Sequence, residues 1–568
     1  MAVEVRLAGR AASPGYARGP IHFVHFDDLG RLPRPLASPP LSDPQREAAR
    51  LQDAAATAVA ELRALVARLE QDAVRNREAI GILGFQVAFL EDAAMLAPVL
   101  EVIAAGEPAA SAWLAAMGRQ IDTYRGADDE SFRARASDLR DIRNRVLACL
   151  DRDFSMDDRF AQLPPGALLV TDDLQPSRFL AIDRERLAAV VLLQGSAASH
   201  VAILARSRGI PMVVGLEAQA ADLVRWHGRD AILDARRGEL AINPCARSLG
   251  EFVDDRERYA AIDALAEGLS CRPARTADGT PVRVCVNVAN LADLDAIDPA
   301  SCDGIGLART EFLFGDGGAM LRDEDAQFAA YCRLLDWAQG REVTVRTLDA
   351  GGDKPIAGLT LEGESNPFLG LRGLRLSLAR PEVFRVQLRA LARAAARGRI
   401  RVMLPMVTMP RELAAANALL EAELVALARE GTAAARPPVG IMVEVPAAAI
   451  TAADFREAAF FSIGSNDLAQ YVAAVGRDVE ALAELSSPTQ PAMLRLIAGV
   501  VAAGDRLGIE TSLCGDAASD PAEIAALLGA GLRSLSVAPA QLARVKLAVS
   551  RTRLDRSGVD GIIENGSH

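Results

Sequence analysis

The chain has 568 residues, of which 50% are hydrophobic, so its composition predicts about three or four domains with sizeable cores. The formal net charge of −12 argues against nucleic acid or an anionic membrane surface as the main partner. The sequence starts without a signal-peptide-like apolar region, and it has no run of about 18 apolar residues that would insert into a membrane. Its seven cysteines are scattered and form no C-x-x-C pair, which argues against disulfides and a zinc site. We therefore expect a cytoplasmic protein.

The first 153 residues combine a short strand-rich start with a long helical block. Residues 1–28 alternate polar and apolar positions around "ASPGYARG", which predicts strand, turn and strand. After a proline-rich loop, Asp43 and Pro44 provide a cap and a first helical position. From there to about Asp153, the 3.6-residue periodicity predicts three or four helices and no strand.

Residues 165–243 change in character and predict a compact α/β unit. Apolar runs such as "GALLVTD", "AAVVLLQ" and "DAILDA" alternate with turns and short helices. We expect the N-terminal strands to complete the sheet of this unit, so that the helical block is an insertion. A charged helix at about 250–268 then predicts a linker.

The last part of the chain repeats a strand followed by a helix. Eight such repeats in about 290 residues predict a TIM barrel, whose chemistry lies at the C-terminal ends of its strands. The alternative is a doubly wound open sheet, but its usual glycine-rich first turn is missing. The fold class is thus predicted to be α/β and multidomain. The eight strand-like runs are "VRVCVNVA", "GIGLART", "EVTVRTLD", "IRVMLPMV", "VGIMVEVP", "FFSIGSND", "ETSLCGD" and "SLSVAP".

Charged and polar side chains follow several of these predicted strands. Arginine binds phosphate and carboxylate through paired N–H groups, and paired carboxylates suit Mg²⁺. A small phosphorylated carboxylic acid would use both, although each arginine alone could equally form a structural salt bridge. The residues are Arg309, Arg346 with Asp349, Glu444, Asn466 with Asp467, Cys514 with Asp516, and Arg477 after the sixth strand.

His200 stands apart from the other histidines because of its place in "GSAASHVAILARSRGIP". Small residues precede it and a helical stretch follows, so it lies at a predicted helix N-terminus, where N–H groups and the helix dipole favour an anion. An imidazole that carries a phosphoryl group is such an anion, which predicts a phosphohistidine. A structural helix cap is the alternative, and no carboxylate close in the sequence offers a partner. We expect His22, His25, His227 and His568 to be structural or incidental.

Motifs along nearly the whole chain match one family. The first half contains "ASPG", "ASDLRDIRNRVLACL" and "GSAASHVAILARSRGIPMVVG". The second half contains "GIGLARTEFLF", "VRTLDAGGDK", "NPFLGLRGLRLSL", "GIMVEVPAA", "FFSIGSNDLAQY" and "SLCGD". On these residues the chain resembles Enzyme I of the bacterial phosphotransferase system, the phosphoenolpyruvate–protein phosphotransferases. The resemblance implies phosphoryl transfer from phosphoenolpyruvate to the protein's own histidine and then to an HPr-type phosphocarrier, with release of pyruvate, as the first step of sugar uptake.

The resemblance also implies a role for each candidate residue. His200 is then the nucleophile, and Cys514 protonates the enolpyruvate carbon. Glu444 and Asp467 bind Mg²⁺, the implied cofactor. The phosphate and carboxylate of the substrate are held by Arg309, Arg346, Asn466 and Arg477.

The same resemblance implies a division of the chain into four parts. Residues 1–28 and 154–245 form a swivelling phosphohistidine α/β domain, and residues 29–153 form its helical insertion, on which HPr docks. Residues 246–270 form the linker helix, and residues 271–568 form the barrel that binds phosphoenolpyruvate and makes a homodimer.

The sequence departs from the family pattern around His200. Residues 195–200 lack the second glycine and the threonine of the family signature, with Ala198 in the threonine position, and Phe179 replaces an expected hydroxyl. Gln86 replaces an expected histidine in the docking segment, and Gly476 replaces an expected aspartate. These differences leave open a regulatory, nitrogen-type phosphorelay with a specialised acceptor. A phosphoenolpyruvate synthase or dikinase is a more distant alternative, because the helical block has no phosphate-binding glycine run.

Overall fold

The computed structural model divides into two compact units, Met1–Arg258 and Tyr259–His568, and each unit has its own hydrophobic cores. Among the residues that the structure describes, none of the helices combines the length and apolarity that crossing a bilayer requires. The structure describes residues 3–24, 43–70, 73–125, 130–150, 163–197, 199–218, 223–291, 293–313, 319–352, 356, 359–361, 364, 366–476, 482 and 485–554.

The first unit is built on an eight-stranded sheet in the order β1-β8-β7-β3-β4-β5-β6-β2. The three N-terminal strands complete this sheet, as the sequence predicts, and β3 joins the two halves by pairing in parallel with β4 and antiparallel with β7. β4 to β6 are almost wholly buried, which is typical of parallel strands covered on both faces. The strands are β1 (Val5–Ala8), β2 (Arg10–Ser13), β3 (Tyr16–Val24), β4 (Ala167–Thr171), β5 (Leu187–Leu192), β6 (Met212–Val214), β7 (Asp230–Asp234) and β8 (Glu239–Ile242).

The helical block between β3 and β4 has five helices in its described residues, so the expectation of three or four was too low. Asp43 caps the first helix by accepting a hydrogen bond from Gln45 N at 3.0 Å, and Pro44 is its first residue. Asp92 separates the second and third helices by capping Ala94 N at 2.9 Å, a break that the uniform helical composition conceals. The helices are α1 (Pro44–Leu69), α2 (Ala73–Glu91), α3 (Ala93–Ala104), α4 (Ala109–Arg125) and α5 (Glu130–Leu150).

Three further helices lie in the described residues between β4 and the barrel. The second of them begins at His200, as predicted, and the third is the predicted linker helix, within which the two units divide. They are α6 (Pro176–Ala181), α7 (His200–Ser207) and α8 (Ala246–Glu267).

The second unit is a closed barrel of parallel strands, which confirms the predicted TIM barrel with one strand for each of the eight sequence runs. The strands are β9 (Arg283–Val288), β10 (Gly304–Arg309), β11 (Glu342–Arg346), β12 (Ile400–Leu404), β13 (Val439–Val443), β14 (Phe460–Gly464), β15 (Glu510–Cys514) and β16 (Ser534–Val537). The helices are α9 (Thr310–Leu313), α10 (Glu324–Ala338), α11 (Leu374–Ala379), α12 (Pro381–Ala395), α13 (Pro410–Arg429), α14 (Pro446–Ile450), α15 (Ser465–Ala473), α16 (Pro491–Leu507), α17 (Asp516–Ser519), α18 (Ile524–Gly529) and α19 (Leu542–Arg551).

Side chains fill the interior of the barrel, and the two ends of the barrel carry different sets of charged residues. A small cluster of buried residues, one from each of β10, β12, β13, β14 and β15, lies apart from the larger core between strands and helices. The N-terminal ends of the strands carry an ion-pair network in which Arg283 and Arg401 both contact Glu342 and Glu510. The C-terminal ends carry the candidate site residues. The small cluster consists of Leu307, Met403, Met442, Phe460 and Cys514.

Candidate active site

Arg309 is the last residue of β10 and is half-buried. Its Nε is buried and has no hydrogen-bond partner among the described residues. Leaving a buried charged donor unsatisfied costs about 1–3 kcal/mol, so the fold places here a cation for which these residues provide no counter-charge. Such an arginine suits an external anion.

Arg346, at the end of β11, is instead bound within the protein. Its Nη2 donates to Glu311 Oε2 at 3.0 Å, and its Nη1 lies 3.2 Å from Asp349 Oδ2. Although burial opposes the charge, Glu311 and Asp349 raise the pKa of Arg346 further above its ordinary value. The buried Nε has no partner among the described residues, so one donor of this fixed guanidinium is left for a ligand.

Arg372 is a further cation at this end of the barrel, which the strand-end analysis did not include. Its side chain is only 1% exposed, and it contacts Asp349 Oδ2 at 3.1 Å and Asp467 Oδ1 at 3.3 Å. Burial opposes the charge, but Asp349 and Asp467 outweigh it and raise the pKa of Arg372. Arg372 therefore joins the ends of β11 and β14 through two carboxylates.

Glu444 and Asp467 form the carboxylate pair that the sequence predicted. Burial raises the pKa of Glu444 to about 8, with further contributions from Asp467 and Asp349. The backbone of Met406 is held in the left-handed region, at φ 57°, and its N–H donates to Glu444 Oε1 at 2.6 Å. A Cβ at Gly464 would lie 2.9 Å from Glu444 Oε2, so glycine is needed beside this carboxylate. Glu444 and Asp467 thus place two buried carboxylates at the C-terminal end of the barrel.

The donors of this pair fit a hard cation that keeps open coordination positions. In the described part of the chain, no three His, Cys, Asp or Glu side chains gather into a complete metal site. A pair of carboxylates is nevertheless what Mg²⁺ commonly takes from a protein when substrate oxygens and water supply the other ligands. The raised pKa of Glu444 points the same way, since a divalent cation would offset the excess negative charge.

Asn466 and Cys514 lie at the ends of adjacent strands. Asn466 Nδ2 donates to Asp516 Oδ2 at 3.0 Å, and Asp516 N donates back to Asn466 Oδ1 at 3.0 Å. Cys514 is buried, its Sγ accepts from Ser462 Oγ at 3.5 Å, and burial raises the pKa of its thiol. The thiol is therefore kept protonated. Arg477, the remaining predicted barrel residue, lies outside the described residues.

In the first unit, His200 is the first residue of α7. Ser199 is the N-cap, and its Oγ accepts from Ala202 N at 3.3 Å, so the capping role belongs to Ser199 rather than to the imidazole. His200 Nδ1 lies 2.9 Å from Asp138 Oδ2, on α5 of the helical block. Asp138 is 1% exposed, and burial raises the pKa of its carboxyl, an effect that the His200 hydrogen bond opposes. The partner that the local sequence does not offer thus comes from 62 residues away.

Two arginines fix the loop that precedes His200. Arg206 Nη1 donates to Ala197 O at 2.9 Å and to Ala12 O at 2.6 Å, and Arg10 Nη2 donates to Gly195 O at 3.0 Å. These bonds hold carbonyl groups of the loop against β2 and α7. The loop is therefore ordered from outside by cations, in a sequence without the second glycine and threonine of the family signature.

The other two departures near His200 are buried. Phe179, where a hydroxyl was expected, is 1% exposed and packs in the core, with the Arg208 guanidinium 5.8 Å from its ring. Gln86 is also buried and donates to Asp141 Oδ2 at 3.0 Å, so it does not lie on a docking surface. Asp141 also accepts from Ser177 N and Oγ, at 2.9 and 2.6 Å, and thereby joins the helical block to α6.

Reasoning from the sequence missed Asp138, Arg372 and Met406. Asp138 and Arg372 both lie in motif stretches, "ASDLRD" and "LGLRGL", and a search for every charged residue in those stretches would have included them. Met406 acts through its backbone N–H, for which the sequence holds no signal.

Comparison with family models gives three matches that follow one another along the chain. Residues 264–554 match the model described as "PEP-utilising enzyme, PEP-binding domain". Residues 8–135 match the N-terminal model of the same group, and residues 163–238 match its mobile-domain model. The matches therefore cover the helical block, the α/β unit and the barrel.

Curated relatives agree over nearly the full length. A phosphoenolpyruvate-protein phosphotransferase of Geobacillus stearothermophilus is 37% identical over 554 residues, which cover 96% of this chain and 94% of the relative. One of Haloferax volcanii is 38% identical over 511 residues, covering 89% and 87%. A solved structure titled "N-terminal domain of Enzyme 1 - Nitrogen" is 27% identical, with a TM-score of 0.31 over 44% of this chain and 98% of that one. On the family model and these relatives, the chain belongs to the phosphoenolpyruvate-protein phosphotransferases.

Proposed function

We propose that this chain transfers the phosphoryl group of phosphoenolpyruvate to its own His200 and then to a histidine of an HPr-type phosphocarrier. The observation that carries the proposal is the contact between His200 Nδ1 and Asp138. Because an ionised carboxylate only accepts, Nδ1 carries the hydrogen and the lone pair is on Nε2, which becomes the nucleophile. The N–H groups at the start of α7 favour the negative charge that the ring acquires.

The barrel mouth supplies the donor site in this proposal. Arg309 and Arg346 each have a buried Nε without a partner among the described residues, and these donors would bind the phosphate and carboxylate of phosphoenolpyruvate. Asn466 and Arg477 complete the set by family resemblance. Glu444 and Asp467 would hold Mg²⁺, which when bound supplies positive charge to the phosphoryl oxygens during transfer.

The transfer itself forms one bond and breaks another. Nε2 of His200 bonds to phosphorus while the bond from phosphorus to the enol oxygen breaks and leaves its electron pair on that oxygen. Cys514 then gives its thiol proton to the terminal methylene carbon, which yields pyruvate, and the buried, protonated state of this thiol supports that role. The hydrogen on Nδ1 stays on the imidazole throughout and remains hydrogen-bonded to Asp138.

The roles of the four parts of the chain belong to the same proposal. Residues 1–28 and 154–245 would carry the phosphohistidine, residues 29–153 would dock the carrier, residues 246–270 would link, and residues 271–568 would bind phosphoenolpyruvate. His200 and the barrel residues belong to different compact units, so the transfer step requires His200 to reach the phosphoryl group of the bound substrate. A half-buried aromatic pair on α2, Phe85 and Phe89, with ring centroids 6.1 Å apart, offers contact area for the carrier.

We further propose a homodimer through the barrel. Large apolar side chains are exposed in each of the segments that follow the C-terminal ends of β11 to β14, a distribution typical of an interface. They include Leu361 (49%), Leu369 (66%), Met409 (46%), Ile450 (73%), Leu482 (39%) and Leu485 (55%). The seven cysteines are free thiols, two of them exposed, which supports a reducing, cytoplasmic location.

The test follows labelled phosphoenolpyruvate in the presence of Mg²⁺. The wild-type chain should take up one acid-labile label, the His200→Ala variant none, and the His227→Ala variant the same amount as wild type. Label on another residue, or label that persists in His200→Ala, would overturn the proposal. ATP should not label the protein, in contrast to a dikinase.

A nitrogen-type regulatory relay remains the second candidate, and the buried Phe179 favours it. A phenyl ring in the core cannot provide the hydrogen bond that a hydroxyl there would give, so this chain lacks one contact that the family resemblance implies near His200. Transfer of label to a sugar-type HPr and to a nitrogen-type carrier should be compared under identical conditions. A preference of about tenfold or more for the nitrogen-type carrier would favour the regulatory role.

A further inference from the structure

A second cavity lies at the opposite end of the barrel from the proposed phosphoenolpyruvate site. It has a volume of about 490 Å³ and opens between the N-terminal ends of β9, β15 and β16 and the end of α16. We call it the lower cavity and define it by Val282, Val501, Asp505, Ile509, Glu510 and Arg533, which are among the residues that line it. Its size suits a small metabolite rather than a macromolecule.

Most of the charge around the lower cavity is already neutralised. Glu510 contacts Arg283 at 2.7 Å and Arg401 at 2.8 Å, so both of its oxygens are occupied. Asp303 accepts a hydrogen bond from Val284 N at 2.8 Å. The carboxylates of Glu510 and Asp303 therefore already have partners within the protein, and neither needs a bound ligand to satisfy it.

Two lining arginines, Arg275 and Arg533, lie outside this network. Arg275 is exposed and its Nη1 donates to Gly279 O at 3.0 Å, so Arg533 is the half-buried cation of the cavity.

Arg533 Nη1 donates to Leu528 O and Leu532 O, at 2.8 and 2.6 Å, and within the described residues no carboxylate comes within ion-pair distance of its guanidinium. Burial lowers the pKa of Arg533, although the charges of Asp278 and Asp505 act in the opposite direction. A half-buried arginine whose fixed orientation leaves its other donors open to a cavity is suited to a carboxylate.

Asp505 is the anion that the network leaves over. It is an exposed residue in the last turn of α16, lines the same cavity and has no side-chain hydrogen bond or ion pair to another described residue. Apolar side chains also line the cavity, with Val282 at 3% and Val501 at 8% exposure and Ile509 half-buried. A half-buried cation, an exposed anion and apolar side chains around one cavity are complementary to a zwitterion that carries an apolar side chain.

From this geometry we propose that the lower cavity binds a free α-amino acid. The α-carboxylate would pair with Arg533, the α-ammonium with Asp505, and an aliphatic side chain would lie against Val282, Val501 and Ile509. The inference does not depend on the phosphotransfer proposal, because none of these residues belongs to the barrel mouth.

The experiment is isothermal titration of the full chain with L-leucine and two analogues that each lack one charge. Isocaproate has no ammonium group and isoamylamine has no carboxylate. L-leucine should bind saturably, and each analogue should bind about tenfold or more weakly, as expected for the loss of one charge-assisted contact. A panel of the other natural amino acids then ranks the side chains.

Variants connect binding to the cavity. Arg533→Gln and Asp505→Asn should each weaken the best-binding amino acid about tenfold or more, whereas Arg506→Gln, beside Asp505 but not lining the cavity, should bind as wild type. Thermal unfolding of each variant checks that the barrel still folds. Three outcomes would overturn the proposal: no amino acid binds, isocaproate binds as well as L-leucine, or binding persists in both cavity variants.

Discussion

The barrel mouth and the His200 loop hold charged groups in contrasting ways. At the barrel mouth, Arg346 and Arg372 share the carboxylate of Asp349, and Asp467 contacts Arg372, so each charge is buried among several others. His200, by contrast, is 23% exposed and has one ion-pair contact, with Asp138. The barrel site thus holds its charged groups in fixed positions, whereas His200 leaves its Nε2 accessible.

The contrast fits the two tasks in the proposed relay. Phosphoryl transfer from a small substrate needs fixed cations, because positioning and charge neutralisation provide most of the catalysis. A histidine that must accept and then donate a phosphoryl group to a protein needs an accessible nitrogen and a defined tautomer instead. Removing single contacts should therefore have large effects on the stability of the barrel and smaller, kinetic effects at the histidine.

The largest expected effect is that of Arg372→Met. The substitution removes a fully buried cation and leaves Asp349 and Asp467 without its charge, which costs about 3–5 kcal/mol of unfolding free energy by the usual penalty for breaking a buried ion pair. The measurement is the free energy of unfolding of the barrel unit, obtained from urea unfolding of the full chain. The matched control is Arg375→Met, three residues further along the chain, whose guanidinium bonds among the described residues to Thr408 Oγ1 and whose loss should cost less than about 1.5 kcal/mol. Equal losses in the two variants would contradict the framework role of Arg372.

Asp138→Asn should have the next largest effect. The amide can still accept the Nδ1 hydrogen but has lost its charge, so phosphorylation of His200 should slow about 10- to 100-fold, the usual value of one hydrogen bond to a charged group. Nitrogen NMR shifts of the imidazole should show a mixture of tautomers in place of one. Asp141→Asn is the control, because Asp141 bonds to Ser177 and Gln86 and should affect stability without changing the tautomer. An unchanged tautomer in Asp138→Asn would rule out the positioning role.

These two residues show how much the sequence reveals. The eight barrel strands, the helix that begins at His200 and the strand-end residues could be predicted, because apolar runs and chain order determine parallel strands and their C-terminal ends. The pairing of Asp138 with His200 could not, since it depends on how a helical insertion packs on an α/β sheet 62 residues further along the chain. The same holds for Arg372, which lies in an irregular segment between β11 and α11 rather than at a strand end.

A smaller effect is expected for Arg206→Met. This change removes the donor that holds Ala12 O and Ala197 O, while the loop keeps its bond from Arg10 to Gly195 O. Of these two hydrogen bonds, only the one to Ala197 O holds the loop before His200. One hydrogen bond of this kind contributes about 1 kcal/mol, so phosphorylation of His200 should slow about fivefold. Labelling rates at saturating phosphoenolpyruvate provide the measurement, with Arg184→Met, an exposed arginine on the same unit, as the control. A rate equal to that of Arg184→Met would show that the loop is ordered without this cation.

The smallest effect is expected for Glu4→Gln, at the contact between the N-terminal segment and the start of the linker helix α8. Glu4 accepts hydrogen bonds from Cys245 N at 2.8 Å and from Ser248 Oγ at 2.7 Å. These bonds, above all the one from the backbone N–H of Cys245, lower the pKa of Glu4 to about 2. A carboxyl whose pKa is lowered by folding stabilises the fold above its ordinary pKa of 4.5 and loses that contribution as the pH falls toward about 2. Glu4→Gln should therefore lower the melting temperature of the first unit at pH 7 by a few degrees, about 1 kcal/mol for a lost helix-capping contact.

The difference between wild type and Glu4→Gln should narrow progressively below a pH of about 4.5, and calorimetric scans between neutral and acid pH can follow it. Glu257→Gln, at an exposed position on the same helix, is the control and should shift neither the melting temperature nor its pH dependence. If Glu4→Gln matched that control, the helix would be anchored by packing alone. The first unit would then resemble the barrel in being held by its core rather than by a few accessible charges.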